Sequence, residues 1–267
     1  MPVLYALLLG VVEGLTEYLP VSSTGHLVLV SHALGLHDDA TKTFEVVIQL
    51  GAVLAVVVHY RALLLQRVAG VFRKDPDAIR LFSALLAAFV PTAVAGLLLR
   101  KAIKAHLFGK GPVVVALIVG GVLMIVFERL VPRTKATLEK LEDVTPKHGF
   151  LIGVAQCAAL WPGTSRSMAT IVGGRALGLS PTVAAEFSFL LALPVLGAAT
   201  LLDLYKGGKA LVATSAARLS LFVGFAVSFV VAWAVIGFFL RFLRTRGLAP
   251  FGFYRIALGI LVLLLLP

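Results

Sequence analysis

Two short stretches of the 267-residue chain concentrate the residue types that do chemistry. The first runs Glu13-Gly-Leu-Thr-Glu17-Tyr-Leu-Pro20-Val-Ser22-Ser23-Thr24-Gly25-His26, and the second Pro162-Gly163-Thr164-Ser165-Arg166-Ser167-Met-Ala-Thr170. Glu13 and Glu17 are four residues apart, so on a helix they share one face about 6 Å apart. Two carboxylates that close repel and need a cation, a proton or an arginine. They suit a general base together with a divalent cation, Mg2+ or Ca2+, which prefers hard oxygen ligands; the plainer alternative is a pair on a wet interfacial face. Ser22, Ser23 and Thr24 place hydroxyls beside His26, the grouping of an activated nucleophile. The same hydroxyls are good N-caps for a following helix. In the second stretch Pro162 and Gly163 end one arm. The hydroxyls of Thr164, Ser165 and Ser167, with the free N–H groups of the next helix, form an anion site. Arg166 adds a planar, permanently charged fork suited to phosphate oxygens, or else an ion pair with Glu13 or Glu17.

The rest of the chain must hold these groups in an apolar setting. Hydrophobic residues make up 60% and charged residues 14%, and the mean hydropathy is +1.01. An ordinary soluble domain is nearer half apolar and a quarter charged, which excludes disorder and a simple soluble enzyme. Long apolar runs cover about 43–60, 81–99, 112–131, 184–205, 219–240 and 251–266. Spans of roughly 20 mostly apolar residues fit six or seven times into such a chain, and a β-barrel would show short alternating segments instead. Around each chemical stretch, in 6–36 and 149–179, lie two half-length apolar arms, too short to span. These read as re-entrant helix–loop–helix hairpins. Irregular backbone at membrane depth is tolerated only inside protein or against a wet cavity. The expected fold is therefore an all-α polytopic membrane protein with six transmembrane helices plus two re-entrant hairpins.

An internal match organises these elements. Gly10-Val-Val-Glu13 pairs with Gly153-Val-Ala-Gln156, and Ala33-Leu-Gly-Leu36 with Ala176-Leu-Gly-Leu179, both at an offset of 143. Pro20 and Ser23 pair with Pro162 and Ser165 at 142, and Gly96 and Arg100 with Gly237 and Arg241 at 141. The chain thus reads as one membrane domain of two repeats, about 1–132 and 148–267, joined by a polar linker at about 133–147. Three spans between two hairpins force opposite entry, so the repeats have inverted topology, with the site where the breaks meet.

The net charge of +11 suits basic cytoplasmic loops and anionic headgroups, and no basic stretch forms a nucleic-acid module. The side holding 61–80, 129–148 and 241–250 carries 13 Lys and Arg against 8 on the other. That bias makes the first side cytoplasmic and opens the first hairpin outward. The single cysteine, Cys157, excludes an intrachain disulfide. No cleaved signal is expected, because no basic segment precedes residues 2–12 and Glu13 interrupts them. Glu45 and Glu186 read as structural helix charges and Arg175 as an ion pair behind the site. His32, His37, His59, His106 and His148 read as interfacial.

On the two quoted motifs the chain resembles the bacterial undecaprenyl-diphosphate phosphatase family, also called the bacitracin-resistance protein family, and the resemblance extends over nearly its whole length. It implies an inner-membrane enzyme that hydrolyses undecaprenyl diphosphate to undecaprenyl phosphate and inorganic phosphate, recycling the lipid carrier of cell-wall synthesis and conferring bacitracin resistance. It implies catalytic roles for Glu13, Glu17, Ser23, His26 and Arg166, and diphosphate contacts from Ser22, Thr24, Ser165, Ser167 and Thr170. Family activity is associated with divalent cations, which fits Glu13 and Glu17. The partners expected are a polyprenyl diphosphate and membrane lipids, with no nucleic acid; a homodimer is compatible. The rival reading is a secondary transporter or polyprenyl-phosphate flippase, since inverted repeats with broken helices serve transport as well.

Overall fold

In the computed structural model the described residues are all but 37, 108, 133–135, 208–210 and 266–267, together with the side chains of 39, 104, 206 and 207. His37, and Arg133, Lys135 and Lys209 of the charge count, fall outside them, as do the side chains of Lys104 and Lys206. The chain is all-helical, apart from an isolated bridge between Leu138 and Leu179. The helices are α1 (Val3–Thr16), α2 (Ser23–Ala33), α3 (Asp39–His59), α4 (Arg61–Phe72), α5 (Pro76–His106), α6 (Lys110–Leu130), α7 (Pro146–Gln156), α8 (Arg166–Ala176), α9 (Pro181–Gly207), α10 (Ser215–Arg246) and α11 (Ala249–Leu265). Five of them (α3, α5, α6, α9 and α10) are long and apolar enough to cross a membrane, so the chain is a multi-pass membrane protein. The sixth apolar run becomes α11, a shorter apolar helix.

The two expected hairpins are helix–break–helix units, α1–α2 and α7–α8. Ser22 caps α2 and Ser165 caps α8, each with φ 73°, accepting from Gly25 N and Met168 N respectively. This shared local geometry pairs Ser22 with Ser165 at the flanking offset of 143. It corrects the sequence pairing of Ser23 with Ser165, which the prolines had suggested.

Each hairpin docks on a span from the other half of the chain. α1 packs on α10 and α7 on α5, while α6 packs on α11 and α3 on both α9 and α10. Glycines permit the close approach: a Cβ on Gly10 or Gly14 would strike the carbonyls of Gly224 or Ser228, and one on Gly149 or Gly153 those of Ala84 or Ala88. Small residues at a fourfold spacing are how apolar helices bring their backbones together where lipid and core are equally apolar.

The hairpins enter from opposite ends of the bundle. Ala6 and Leu9 of α1 share a buried cluster with Phe44 at the start of α3 and Leu211 before α10, and Ser220 of α10 donates to Met1 O. The α7 end lies beside the start of α5, where Arg80 donates to Glu142 O at 3.0 Å and Arg67 pairs with Glu142 in the turn before α7. Arg100, near the end of α5, meets Asp203, near the end of α9, at 3.4 Å. The end of α5, and not its start, therefore joins the α9–α10 end. The largest buried cluster, with Tyr18, Ile152, Phe187, Phe189 and Phe239, lies between the hairpins.

The proline-bearing spans were not singled out in the sequence. Pro91 lies inside α5 and Pro194 inside α9. Each removes one backbone donor and crowds the preceding turn. Thr92, Val195 and Leu196, the residues next to them, line the central cavity.

Gly149→Leu inserts bulk where α7 meets the α5 backbone. Overpacking of this kind costs about 1–3 kcal/mol, so the thermal midpoint of the detergent-solubilised protein should fall. An unchanged midpoint would refute the close α7–α5 contact.

Candidate active site

The two breaks meet at a cavity of about 180 Å3 lined by Glu17, Ser22, Ser23 and Thr24 from the first hairpin and Pro162, Gly163, Ser165 and Arg166 from the second. Gln49, Thr92 and Gln156 complete its polar wall. Two helix N-termini, those of α2 and α8, thus open into one space. Unsatisfied N–H groups and the positive ends of both helix dipoles favour an anion there.

Glu17 joins the halves. Its Oε2 accepts from Ser23 Oγ at 2.6 Å, and its Oε1 lies 3.4 Å from Arg166 Nη2. Because Ser22, not Ser23, occupies the N-cap, the Ser23 hydroxyl is left for the carboxylate. Capping and hydroxyl activation are therefore divided between neighbouring serines.

Arg166 is held from behind. Its Nη1 donates to Ser188 O at 2.9 Å and lies 3.4 Å from Ser188 Oγ. Ser188 Oγ is 2.6 Å from Thr170 Oγ1, which donates back to Arg166 O at 2.9 Å. The guanidinium also lies 5.8 Å from the ring of Tyr18, which is fixed by its hydroxyl to Ala52 O at 2.8 Å and edge-on to Phe189. Arg166 Nε is buried with no hydrogen-bond partner among the described residues.

The remaining expected site residues lie off the cavity wall. Ser167 donates to Leu19 O at 3.0 Å and pairs with Ser165 Oγ, tying the second break to the first. Thr170 supports Arg166. Thr164 contributes its carbonyl to Arg255. The hydroxyls of Ser167 and Thr170 are thus drawn into protein contacts that hold the loop, and Thr164 holds it through its backbone carbonyl. His26 does not reach Ser23. Its Nδ1 faces Ser22 O at 2.8 Å and its Nε2 lies 2.6 Å from Tyr254 Oη. A carbonyl cannot donate, so Nδ1 carries the proton and the tyrosine donates to Nε2. Glu13 is fully buried, and neither of its carboxylate oxygens has a hydrogen-bond partner. Glu45 takes the Ser31 hydroxyl. Arg175 lies 3.9 Å from Glu128 and donates to Val131 O. It is an ion pair as expected, but it sits at the end of α6 and not behind the cavity.

Among the described residues no group of three or more His, Cys, Asp or Glu side chains could hold a metal. The two carboxylates remain: Glu17 lines the cavity, and Glu13, buried off its wall with both oxygens unpartnered among the described residues, is the second oxygen donor that could hold a cation.

Sequence reasoning missed Arg255 on α11. Fully buried, it donates through Nη1 to Thr164 O (2.8 Å) and Pro20 O (3.3 Å), through Nη2 to Gly163 O (2.9 Å) and Ala116 O (2.9 Å), and through Nε to Leu117 O (3.4 Å). It pins both breaks, and no carboxylate pairs with it among the described residues. The signal was present: Arg255 is the only charge in the apolar run 251–266, and a charge at membrane depth marks function by default. Gln156 and Thr92 were missed as well, being neutral.

Fold and site together define a polytopic membrane protein with a buried hydroxyl–carboxylate–arginine cluster built to meet an anion. Residues 6–261 match the family described as bacitracin resistance protein BacA, and the chain belongs to that family. It is 61% identical to an undecaprenyl-diphosphatase of Sorangium cellulosum over 97% of this chain and 84% of the relative. The relatives of the same name in Nitrosospira multiformis and Clostridium tetani are 48% and 43% identical, each over 98% of this chain and 94% and 96% of their own.

Arg255→Lys leaves three donors for five carbonyls. At least two lose their partner, at about 1–3 kcal/mol each. We expect a thermal midpoint well below that of the parent, with new proteolytic cleavage at 17–22 or 161–165; parental stability would show that the carbonyls find other donors.

Proposed function

We propose that this chain hydrolyses undecaprenyl diphosphate to undecaprenyl phosphate and inorganic phosphate, as the names of its relatives state for them, and so returns the lipid carrier to cell-wall synthesis and confers bacitracin resistance. One observation carries the chemical part: Ser23 Oγ donates to Glu17 at 2.6 Å in a cavity that also holds Arg166 and two helix N-termini. A nucleophile and its base lie in contact beside an anion clamp.

The reaction follows from these groups. The terminal phosphate sits against Arg166 and the N–H groups after Gly163, which stabilise charge on its oxygens in the transition state. Glu17 takes the Ser23 proton as Oγ attacks phosphorus. The bridging P–O bond breaks, and the lipid monophosphate leaves with the proton that Glu17 returns. Water then releases phosphate from Ser23, with Glu17 again as base. The Glu17 contact favours the carboxylate over His26 as that base, and His26, with Tyr254, fixes the first turn of α2. Ser22, Thr24 and Ser165 serve as phosphate ligands. Thr164, Ser167 and Thr170 hold the breaks around them. A divalent cation, Mg2+ or Ca2+, would be held by Glu13 and Glu17, where its charge would neutralise phosphate oxygens.

The finer architecture belongs to the same proposal. Six spans plus two re-entrant hairpins, in inverted repeats at about 1–132 and 148–267 with a linker at about 133–147, are supported by the opposed hairpins and the twin serine caps. The 13-to-8 basic bias supports a cavity opening to the outer, periplasmic face of the plasma membrane, with the prenyl tail between spans. A transporter or flippase requires no activated hydroxyl, so the Ser23–Glu17 contact weighs against transport alone.

Ser23→Ala should be nearly inactive in phosphate release from undecaprenyl diphosphate yet still bind the lipid. Retention of more than about a tenth of the parental rate, a loss under about 1.4 kcal/mol, would replace the covalent step with direct water attack. Arg166→Lys keeps the charge but loses the fork. Its turnover should drop about a hundredfold, roughly 3 kcal/mol of transition-state stabilisation, and near-parental turnover would sink the clamp.

A further inference from the structure

Gln156 brings to the cavity wall a side chain whose acceptor oxygen has no donor among the described residues. It ends α7, its side chain is fully buried, and it lines the same cavity as Glu17, Ser23 and Arg166. Its amide is oriented by a short chain of hydrogen bonds. Thr92 Oγ1 donates to Gly153 O at 3.1 Å, so the Thr92 oxygen must accept, and it does so from Gln156 Nε2 at 2.8 Å. That fixes the nitrogen on Thr92 and leaves Oε1, which is buried and has no hydrogen-bond partner. A buried carbonyl oxygen without a donor is costly to keep, so the site is complete only when a donor stands against it.

The choice of donor is narrow. Phosphate oxygens carrying negative charge cannot donate. Gln156 occupies in the second hairpin the place of Glu13 in the first, at the offset of 143, but as a neutral amide it accepts without repelling a phosphate. A hydrolase acting through Ser23 must in its second step hold one water whose two O–H groups point away from phosphorus. Glu17, Gln49 and Gln156 all bring acceptor oxygens to the cavity wall, and of these Gln156 Oε1 is the one buried without a donor among the described residues.

The geometry points to Gln156 as the residue that positions the hydrolytic water for release of phosphate from Ser23, through a donor-accepting oxygen held by Thr92. This assignment rests on the serine reading above. In the step, the water oxygen forms a bond to phosphorus as the Ser23 Oγ–P bond breaks. One water proton passes to Glu17, which returns a proton to Ser23 Oγ, while the other O–H stays on Gln156 Oε1 until inorganic phosphate departs. The first step needs no water, and so it needs no Gln156.

The test uses the purified full-length chain in detergent and undecaprenyl diphosphate labelled with 32P in its terminal phosphate. Gln156→Leu should still release about one lipid monophosphate per enzyme in a rapid first turnover, then turn over at least tenfold more slowly, with label accumulating on Ser23. Thr92→Val leaves Gln156 in place but frees its amide, and should accumulate label to a lesser extent, which keeps the test open if the leucine variant does not fold. Parental turnover in Gln156→Leu, or loss of the first turnover together with the later ones, overturns the assignment. Slow turnover with no label on Ser23 in any protein instead overturns the covalent reading of Ser23, and the water assignment falls with it.

Discussion

Five backbone carbonyls converge on the guanidinium of Arg255, and three of them, from Pro20, Gly163 and Thr164, belong to the two helix breaks. Everything at the site depends on this convergence. A broken helix deep in an apolar bundle leaves carbonyls that water cannot reach, and each must find a donor in the protein. One side chain with five N–H groups does this for both breaks at once, and in doing so fixes their separation. The two carbonyls of α6 anchor the guanidinium in turn, and Gly120 leaves the room it needs, since a Cβ there would strike Nη2.

With the breaks pinned, the strained residues acquire a purpose. Ser22 and Ser165 adopt φ 73°, a left-handed conformation unusual for serine. Such strain persists where surroundings over-determine it and clusters at functional sites. Here it turns the chain sharply enough for each capping hydroxyl to close its helix while the next residue, Ser23 or Arg166, is delivered to the cavity. Glu17 then binds to both, so a carboxylate from one hairpin sets the spacing between the Ser23 hydroxyl and the Arg166 guanidinium.

The large elements were legible because lipid imposes them. Five of the apolar runs correspond to the long helices α3, α5, α6, α9 and α10, the sixth to the shorter α11, and the two polar interruptions fall at the two breaks. Glu17, Ser23 and Arg166 were legible from their types. What escaped was set by long-range convergence. His26 stands three residues from Ser23, which suggested partnership, yet its ring turns to Tyr254, 228 residues away. Arg255 finds its carbonyls 91 to 235 residues away. Gln156 and Thr92 carry no charge to advertise them, and only the path of α7 past α5 places them on the cavity. The Pro20–Pro162 match shifted one pairing by a residue, because a proline marks a break without fixing which serine caps the next helix.

The crossed docking of the hairpins has a consequence for how the chain is made. α7 packs on α5, a helix already synthesised when α7 leaves the ribosome. α1 packs on α10, which begins at Ser215, so the first hairpin has no partner for its glycine face until most of the chain has emerged. Four long helices, α3, α5, α6 and α9, are made before that partner. The hairpin that carries Glu17 and Ser23 is thus the first part translated and among the last to be packed, and a truncated chain lacking α10 would keep both side chains while losing the helix on which α1 rests.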